Sequence, residues 1–328
     1  MSTKIFAAGA AAAVALAAAL HMGGDAHAAP AGQKSVAVIA IVEHPALDAV
    51  RDGVKDELKA KGFDAAKNLK WQYQSAQGNT GTAAQIARKF VGDRPDAIVA
   101  IATPAAQAVV SATKDIPVVY AAVTDPVAAQ LVPSMEPSGS NVTGISDALE
   151  LDRQVALIRK IVPNAKRVGI VYNPGEANSV VVVKQMQDLL PKSGMSLVEA
   201  AAPRTVDVAA AARSLIGKAD VIYTSTDNNV VAAYESLVKV GNDAKIPLIA
   251  ADNDSVKRGA IAAQGVDYYQ LGRQVGDVVA RILKGEKPGA IASATVNKVQ
   301  LFVNPGAAQA QGVTLSEDII KSAAQVIK

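Results

Sequence analysis

Cysteine is absent from all 328 residues, and histidine occurs only three times. The first absence removes disulfides, thiolate nucleophiles and Cys-type metal sites. The second leaves no His spacing for a metal, because His21 and His27 fall in the N-terminal leader and His44 alone remains beyond it. No GxSxG elbow, P-loop or dinucleotide glycine fingerprint occurs. The Ser111-Ala-Thr-Lys114 match to SxxK falls at a helix end, with no KTG box after it, and is read as chance. Rings are scarce too, with 4% aromatic residues and a single Trp, which starves a stacked sugar platform. The formal charge of +3 is spread without a basic cluster, against nucleic-acid binding. No cofactor is expected. Among enzyme chemistries, only a carboxylate-based hydrolase using Glu43, Glu176 and loop aspartates remains conceivable.

What is present begins with Lys4, an apolar run from Ile5 to Leu20, and the small-residue stretch Ala26-His27-Ala28. That pattern is a secretory signal peptide over residues 1–28, too short in its apolar part to span a membrane. Without a Cys at the cleavage point there is no lipid anchor, so a soluble exported chain of about 300 residues is expected. Hydrophobic residues make up 50% of the composition, ample for one large or two medium domains.

The chain then says the same thing twice. Ser35–Val42 reads as a buried strand followed by a Pro-started amphipathic helix from Pro45 to about Lys61. Arg167–Tyr172 and a helix from Glu176 to Leu190 repeat it. A strand at Asp96–Ile101, a helix at Pro104–Lys114 and a strand at Ile116–Tyr120 form the next unit. Asp220–Thr224, a helix at Asn229–Asp243 and Ile246–Ala250 match that unit at an offset of about 125 to 130 residues. This period is too long for a solenoid and suits two similar lobes. Continuous apolar strands alternating with helices predict two doubly wound parallel-sheet α/β lobes with a cleft between them. Trp71, inside the alternating strand Lys70–Gln74, reads as packed, and Tyr268 and Tyr269 as interlobe or core residues at a helix start.

In such sheets ligands sit beyond the carboxyl ends of the strands. Polar residues cluster there: Glu43-His44, Thr103-Pro104 and Thr124-Asp125-Pro126 in the first half, then Asn173 to Ser179, Thr226 to Asn229 and Asp252 to Ser255. Asp, Asn, Ser and Thr are also the preferred helix caps, so each loop has a purely structural reading. A helix needs one cap, however, and the Asn173 and Thr226 loops each offer several.

Ile41–Asp48, Ala100–Gln107, Asn141–Asp147, Tyr172–Ser179, Ser255–Ala260 and Gly265–Gln274 together resemble the ABC-transporter substrate-binding proteins of the tryptophan/tyrosine-binding type. The resemblance runs from about Lys34 to Pro305. It implies a type I periplasmic-binding-protein fold with three interlobe crossings. The first lobe would hold 34–147 plus about 266–290, the second 148–265 plus about 291–328, with hinge candidates at Asp147–Ala148 and Gly265–Val266. It also implies a periplasmic, monomeric protein that takes a small ligand, an amino acid of the aromatic class, to an ABC permease. The competing reading is a sensor presenting its ligand to a membrane receptor.

An amino-acid zwitterion needs donors for its carboxylate and acceptors for its ammonium, and helix N-termini supply the former. Thr103, Thr124 and Ser179 are the donor candidates, and Asp147, Asp227 and Asp252 the acceptors. Glu43, His44, Asp125, Ser146, Asn173, Glu176, Asn178, Thr226 and Asn228 complete the expected site. Asp227, with Asn228, is the expected partner of the ammonium, because the corresponding first-half loop at Thr103-Pro104 offers no carboxylate.

Overall fold

The computed structural model of the protein describes residues 32–296 and 298–328, so the expected signal peptide lies outside the described residues. The chain first lays down β1 (Lys34–Ala40), α1 (Pro45–Ala60), β2 (Leu69–Ser75), α2 (Thr80–Asp93), β3 (Ala97–Ile101), α3 (Thr103–Ala112), β4 (Val118–Val123) and β5 (Val142–Ser146). It continues through α4 (Leu151–Ile161), β6 (Arg167–Tyr172), α5 (Ala177–Leu189), β7 (Ser196–Ala201), α6 (Val208–Ser214) and β8 (Val221–Thr224). Next come α7 (Asn228–Ala232), α8 (Tyr234–Ala244), β9 (Leu248–Asp252), α9 (Asn253–Lys257) and β10 (Ala262–Val266). The last parts of the two sheets follow α10 (Tyr268–Leu283): β11 (Ala294–Thr295), β12 (Val299–Val303) and β13 (Gln325–Val326).

Two sheets result. The first has the order β11-β5-β4-β3-β1-β2 and is parallel throughout. The second runs β13-β12-β10-β9-β8-β6-β7, parallel except where β12 lies against β10. Their central strands are buried on both faces, as the unbroken apolar runs require: every residue of β3, β4 and β9 is buried. Helix α1 covers the first sheet with the stripe Ala46, Leu47, Val50, Val54 and Leu58. Trp71 packs, partly buried, against the first core. Tyr268 is buried there as well.

Helices α1 and α10 lie unusually close. A Cβ on Gly53 would strike the backbone oxygen of Tyr269, and one on Gly272 that of Val50. This contact ties the returning helix α10, more than 200 positions later in the chain, to the first sheet. The connection from β10 to α10 therefore carries the chain back from the second sheet to the first, with Asp267 capping α10 through its side chain. A first crossing runs from Asp147, after β5, into α4. A third separates Val296, in the first core, from β12 in the second sheet. The first sheet thus takes its returning segment through β11 and Val296, some residues beyond the position near 290 expected from sequence.

One helix differs from expectation. The expected Asn229–Asp243 helix is two pieces, α7 and α8, parted at Ala233 (φ −105°, ψ 26°). Tyr234 is fully buried at the break, its hydroxyl 3.1 Å from that of Thr224. Seating that ring is the physical reason the helix turns there.

Candidate functional site

The carboxyl ends of both sheets face one another, and two connected compartments lie between them. The smaller has a volume of about 20 Å³, room for roughly one water. His44, Thr103, Thr124, Asp147, Asn178, Thr226, Asn228 and Asp252 line it. The larger, of about 250 Å³, takes in Thr124, Asp125, Ser146, Asp147 and Thr226 along with apolar walls. Thr124, Asp147 and Thr226 border both. The hydroxyls of Thr124 and Thr226 are 3.3 Å apart, a contact that joins the two lobes.

Asp147 sits at this junction. It is buried, accepts from Tyr268 Oη at 2.7 Å and from Thr124 Oγ1 at 3.3 Å, and burial raises its pKa. Asp252 is likewise raised by burial, and accepts from the backbone N–H and the hydroxyl of Ser255 while capping α9. Among the described residues neither compartment is lined by a lysine or arginine; Arg258 acts on Asp252 from behind the wall, and no cation acts on Asp147. Buried charge without a partner is costly, which makes the cleft a place for a group that brings positive charge.

Donors stand beside the acids. His44 accepts from Leu47 N at 3.4 Å through Nδ1, capping α1. Burial, with a smaller contribution from Arg258, pushes its pKa down to about 3. The ring is therefore neutral, its proton is on Nε2, and it can donate into the cleft. Helix α3 starts without a side-chain cap, because Ala102 carries no acceptor, and Ala102 holds φ 73° and ψ 156°, a conformation that residues other than glycine seldom adopt. Ala122, with φ 54°, repeats the left-handed strain at the end of β4. Both alanines line the smaller compartment. The first N–H groups of α3 have no side-chain cap, and the Thr103 hydroxyl beside them is buried with no hydrogen-bond partner among the described residues. Asn178 Oδ1 is in the same condition.

Five expected residues line neither compartment. Glu43 lies at the surface, holding Gln77 Nε2 at 3.0 Å and Tyr73 Oη at 3.4 Å. Asn173, Glu176, Ser179 and Asp227 form a network behind the cleft wall. The expectation that Asp227 meets a ligand is corrected by its bonds. Its Oδ1 accepts from Val230 N at 3.0 Å, capping α7, and its Oδ2 accepts from Asn173 N and Ser179 Oγ, both at 2.6 Å. Three protein donors already occupy a carboxylate that is 0% exposed. Glu176 is held by Asn228 Nδ2 at 2.6 Å and Asn178 Nδ2 at 3.1 Å. Burial, and then the neighbouring Asp227, raise its pKa to about 7.

Sequence reasoning missed Tyr268 as a site residue. Its hydroxyl reaches Asp147 across 121 positions, and only its placement at a helix start, noted above, hinted at it. It also missed the walls of the larger compartment, including Leu149, Leu151, Val181 and Val182, which look like ordinary core positions in sequence.

The family of ABC transporter substrate binding proteins matches residues 35–327. The chain belongs to that family. A tyrosine-binding protein of Clostridioides difficile is 40% identical over 290 residues, covering 88% of this chain and 84% of that protein. An ABC domain in complex with L-Trp from Streptococcus pneumonia is 32% identical, covers 90% of this chain and 100% of that one, and superposes with a TM-score of 0.87. The ligand-free, open structure of a substrate-binding protein with adhesive properties from Clostridium difficile is 38% identical over 90% of this chain and 99% of that one, with a TM-score of 0.67. The fold is that of the type I periplasmic binding proteins. Although less identical in sequence, the ligand-bound relative superposes better than the open one, in keeping with lobes that touch at Thr124 and Thr226.

Proposed function

We propose that the protein is the extracytoplasmic capture component of an ABC importer, that it binds an aromatic amino acid between its lobes, and that it has no catalytic role. The observation that carries this reading is the pairing, in one cleft, of the Asp147 carboxylate, on which no cation among the described residues acts, with the Thr103 hydroxyl, which has no partner among them. Asp147 at the junction takes the ligand ammonium, with Asp252 adding negative potential behind it. The free N–H groups of α3, Thr103 Oγ1 and His44 Nε2–H take the carboxylate. A zwitterion satisfies both sets at once, whereas an uncharged sugar leaves the acids uncompensated. The tyrosine- and L-Trp-binding relatives support the aromatic class. No helix among the described residues is long and apolar enough to cross a membrane, which suits a component that meets its permease from outside the bilayer.

A thermal-shift screen of the purified protein against the twenty amino acids tests this. At a hundredfold excess over its dissociation constant, a specific ligand stabilises the protein by about 2.7 kcal/mol. Tyrosine, tryptophan or both are expected to raise the melting temperature, and absence of a shift with every amino acid would remove the reading.

A further inference from the structure

The two compartments differ in size, and both mix polar with apolar lining. In the larger, Leu149, Leu151, Val181, Val182 and Met135 supply an apolar wall beside Asp125, Ser146, Gln185 and Thr295. Helix α5 runs along both: Asn178 borders the small compartment, and Val181 and Val182, one turn on, border the large. Residues spaced this way share a helix face, so one continuous stripe leads from polar to apolar surface. The three residues common to both compartments, Thr124, Asp147 and Thr226, mark where a ligand's charged head must sit. From there, only the larger chamber has the volume for a side chain.

That chamber is not wholly apolar. Ser225, 1% exposed, lines it, and its Oγ has no hydrogen-bond partner among the described residues. The Tyr223 ring forms part of the same wall. A buried hydroxyl without a protein partner is unfavourable unless something that enters the chamber, water or a ligand group, satisfies it. Ser225 follows β8 directly, ahead of the Asp227 cap, so the strand end and the start of α7 hold its backbone on both sides.

Building on the amino-acid reading above, we propose that Ser225 is a specificity-determining residue. Its hydroxyl reads a hydrogen-bonding group carried on the ligand's ring, and so selects tyrosine or tryptophan over phenylalanine. A serine hydroxyl both donates and accepts, so a phenol O–H and an indole N–H are each served. Sites built to bond a ring substituent reject the analogue lacking it far more strongly than apolar pockets reject an extra methylene.

Calorimetric titration of the whole protein with tyrosine, tryptophan and phenylalanine tests the assignment. The wild type is expected to bind tyrosine, tryptophan or both at least about tenfold tighter than phenylalanine. In Ser225→Ala that preference should shrink to about threefold or less, through weaker binding of the polar-ringed ligand, with phenylalanine affinity unchanged. The melting temperature of the empty variant should equal or exceed that of the wild type, because an unpaired buried hydroxyl has been removed. Val181→Phe, at a half-buried wall position, should fill the chamber and weaken all three ligands by about tenfold or more. A wild type that binds the three equally, a preference that survives Ser225→Ala, or full affinity in Val181→Phe would overturn the assignment while leaving the amino-acid reading intact. Binding of none of the three would remove the aromatic reading itself, and this assignment with it.

Discussion

Glu176 and Asp227 place two carboxylates in one buried network, and their neighbours decide what each does. Burial raises the pKa of Asp227, and the two backbone N–H groups and one hydroxyl that it accepts from work against that rise by favouring the charged form. Glu176 takes amide donors and sits beside that charge, so it is the one that holds a proton up to about pH 7. A carboxyl whose folded pKa exceeds its unfolded one stabilises the fold fully below the unfolded value, about 4.5, and loses that contribution as pH rises through about 7. His44 works the other way: its contribution is complete above 6.5 and lost as pH falls toward 3. The two oppose each other between about 4.5 and 6.5, and above that window the Glu176 contribution changes without the His44 one. Glu176→Gln, which cannot titrate, should therefore gain on the wild type as pH rises from 5 to 8, on the order of 2 kcal/mol across that range. Urea unfolding at several pH values reads this gain, and a constant difference between the two proteins would mean that Glu176 is charged throughout. The pairing was only half legible in sequence. The loop offered Asp227 both as a cap and as a ligand contact, and the choice depends on Asn173 and Ser179, about 50 positions earlier.

At the scale of elements, most strands and helices were readable because their signals are local. Uninterrupted apolar runs became central strands, and Pro45 opened α1 as a proline at a helix start does. The break between α7 and α8 was not readable, since neither Gly nor Pro marks Ala233 and the burial of Tyr234 against Thr224 of β8 shows only in the fold. The contact between α1 and α10 was also hidden. Gly53 and Gly272 look like mild helix weaknesses in sequence, and only the fold shows that each makes room for the other helix's backbone. Gly272→Ala should accordingly destabilise the protein by about 1 to 3 kcal/mol, despite alanine's better helix propensity. Denaturant unfolding of that variant measures it. An unchanged or higher midpoint would show that the helices separate without cost.

For the whole molecule, the doubled pattern in the sequence correctly gave two α/β lobes, because each half repeats the same alternation of strand and helix. It could not give the cleft. The contact between the lobes, Thr124 with Thr226, and the one that joins two crossings, Asp147 with Tyr268, link positions 102 and 121 apart, and polar strand ends alone do not say which pairs meet. Nor could sequence choose among three acids for the ammonium of the proposed amino-acid ligand. The fold favours Asp147, since it borders both compartments and spans the first and second crossings through its bond to Tyr268. Asn at this position keeps the shape and one acceptor oxygen, and it removes a carboxylate that the empty protein buries without a cation. The empty Asp147→Asn protein should thus melt at or above the wild-type temperature. Isothermal calorimetry of wild type and Asp147→Asn with tyrosine and tryptophan tests the account most directly. Loss of the buried ion pair should weaken binding by about 2 to 5 kcal/mol, at least about thirtyfold in Kd. Undiminished affinity in Asp147→Asn would contradict the account and take the ammonium away from this carboxylate.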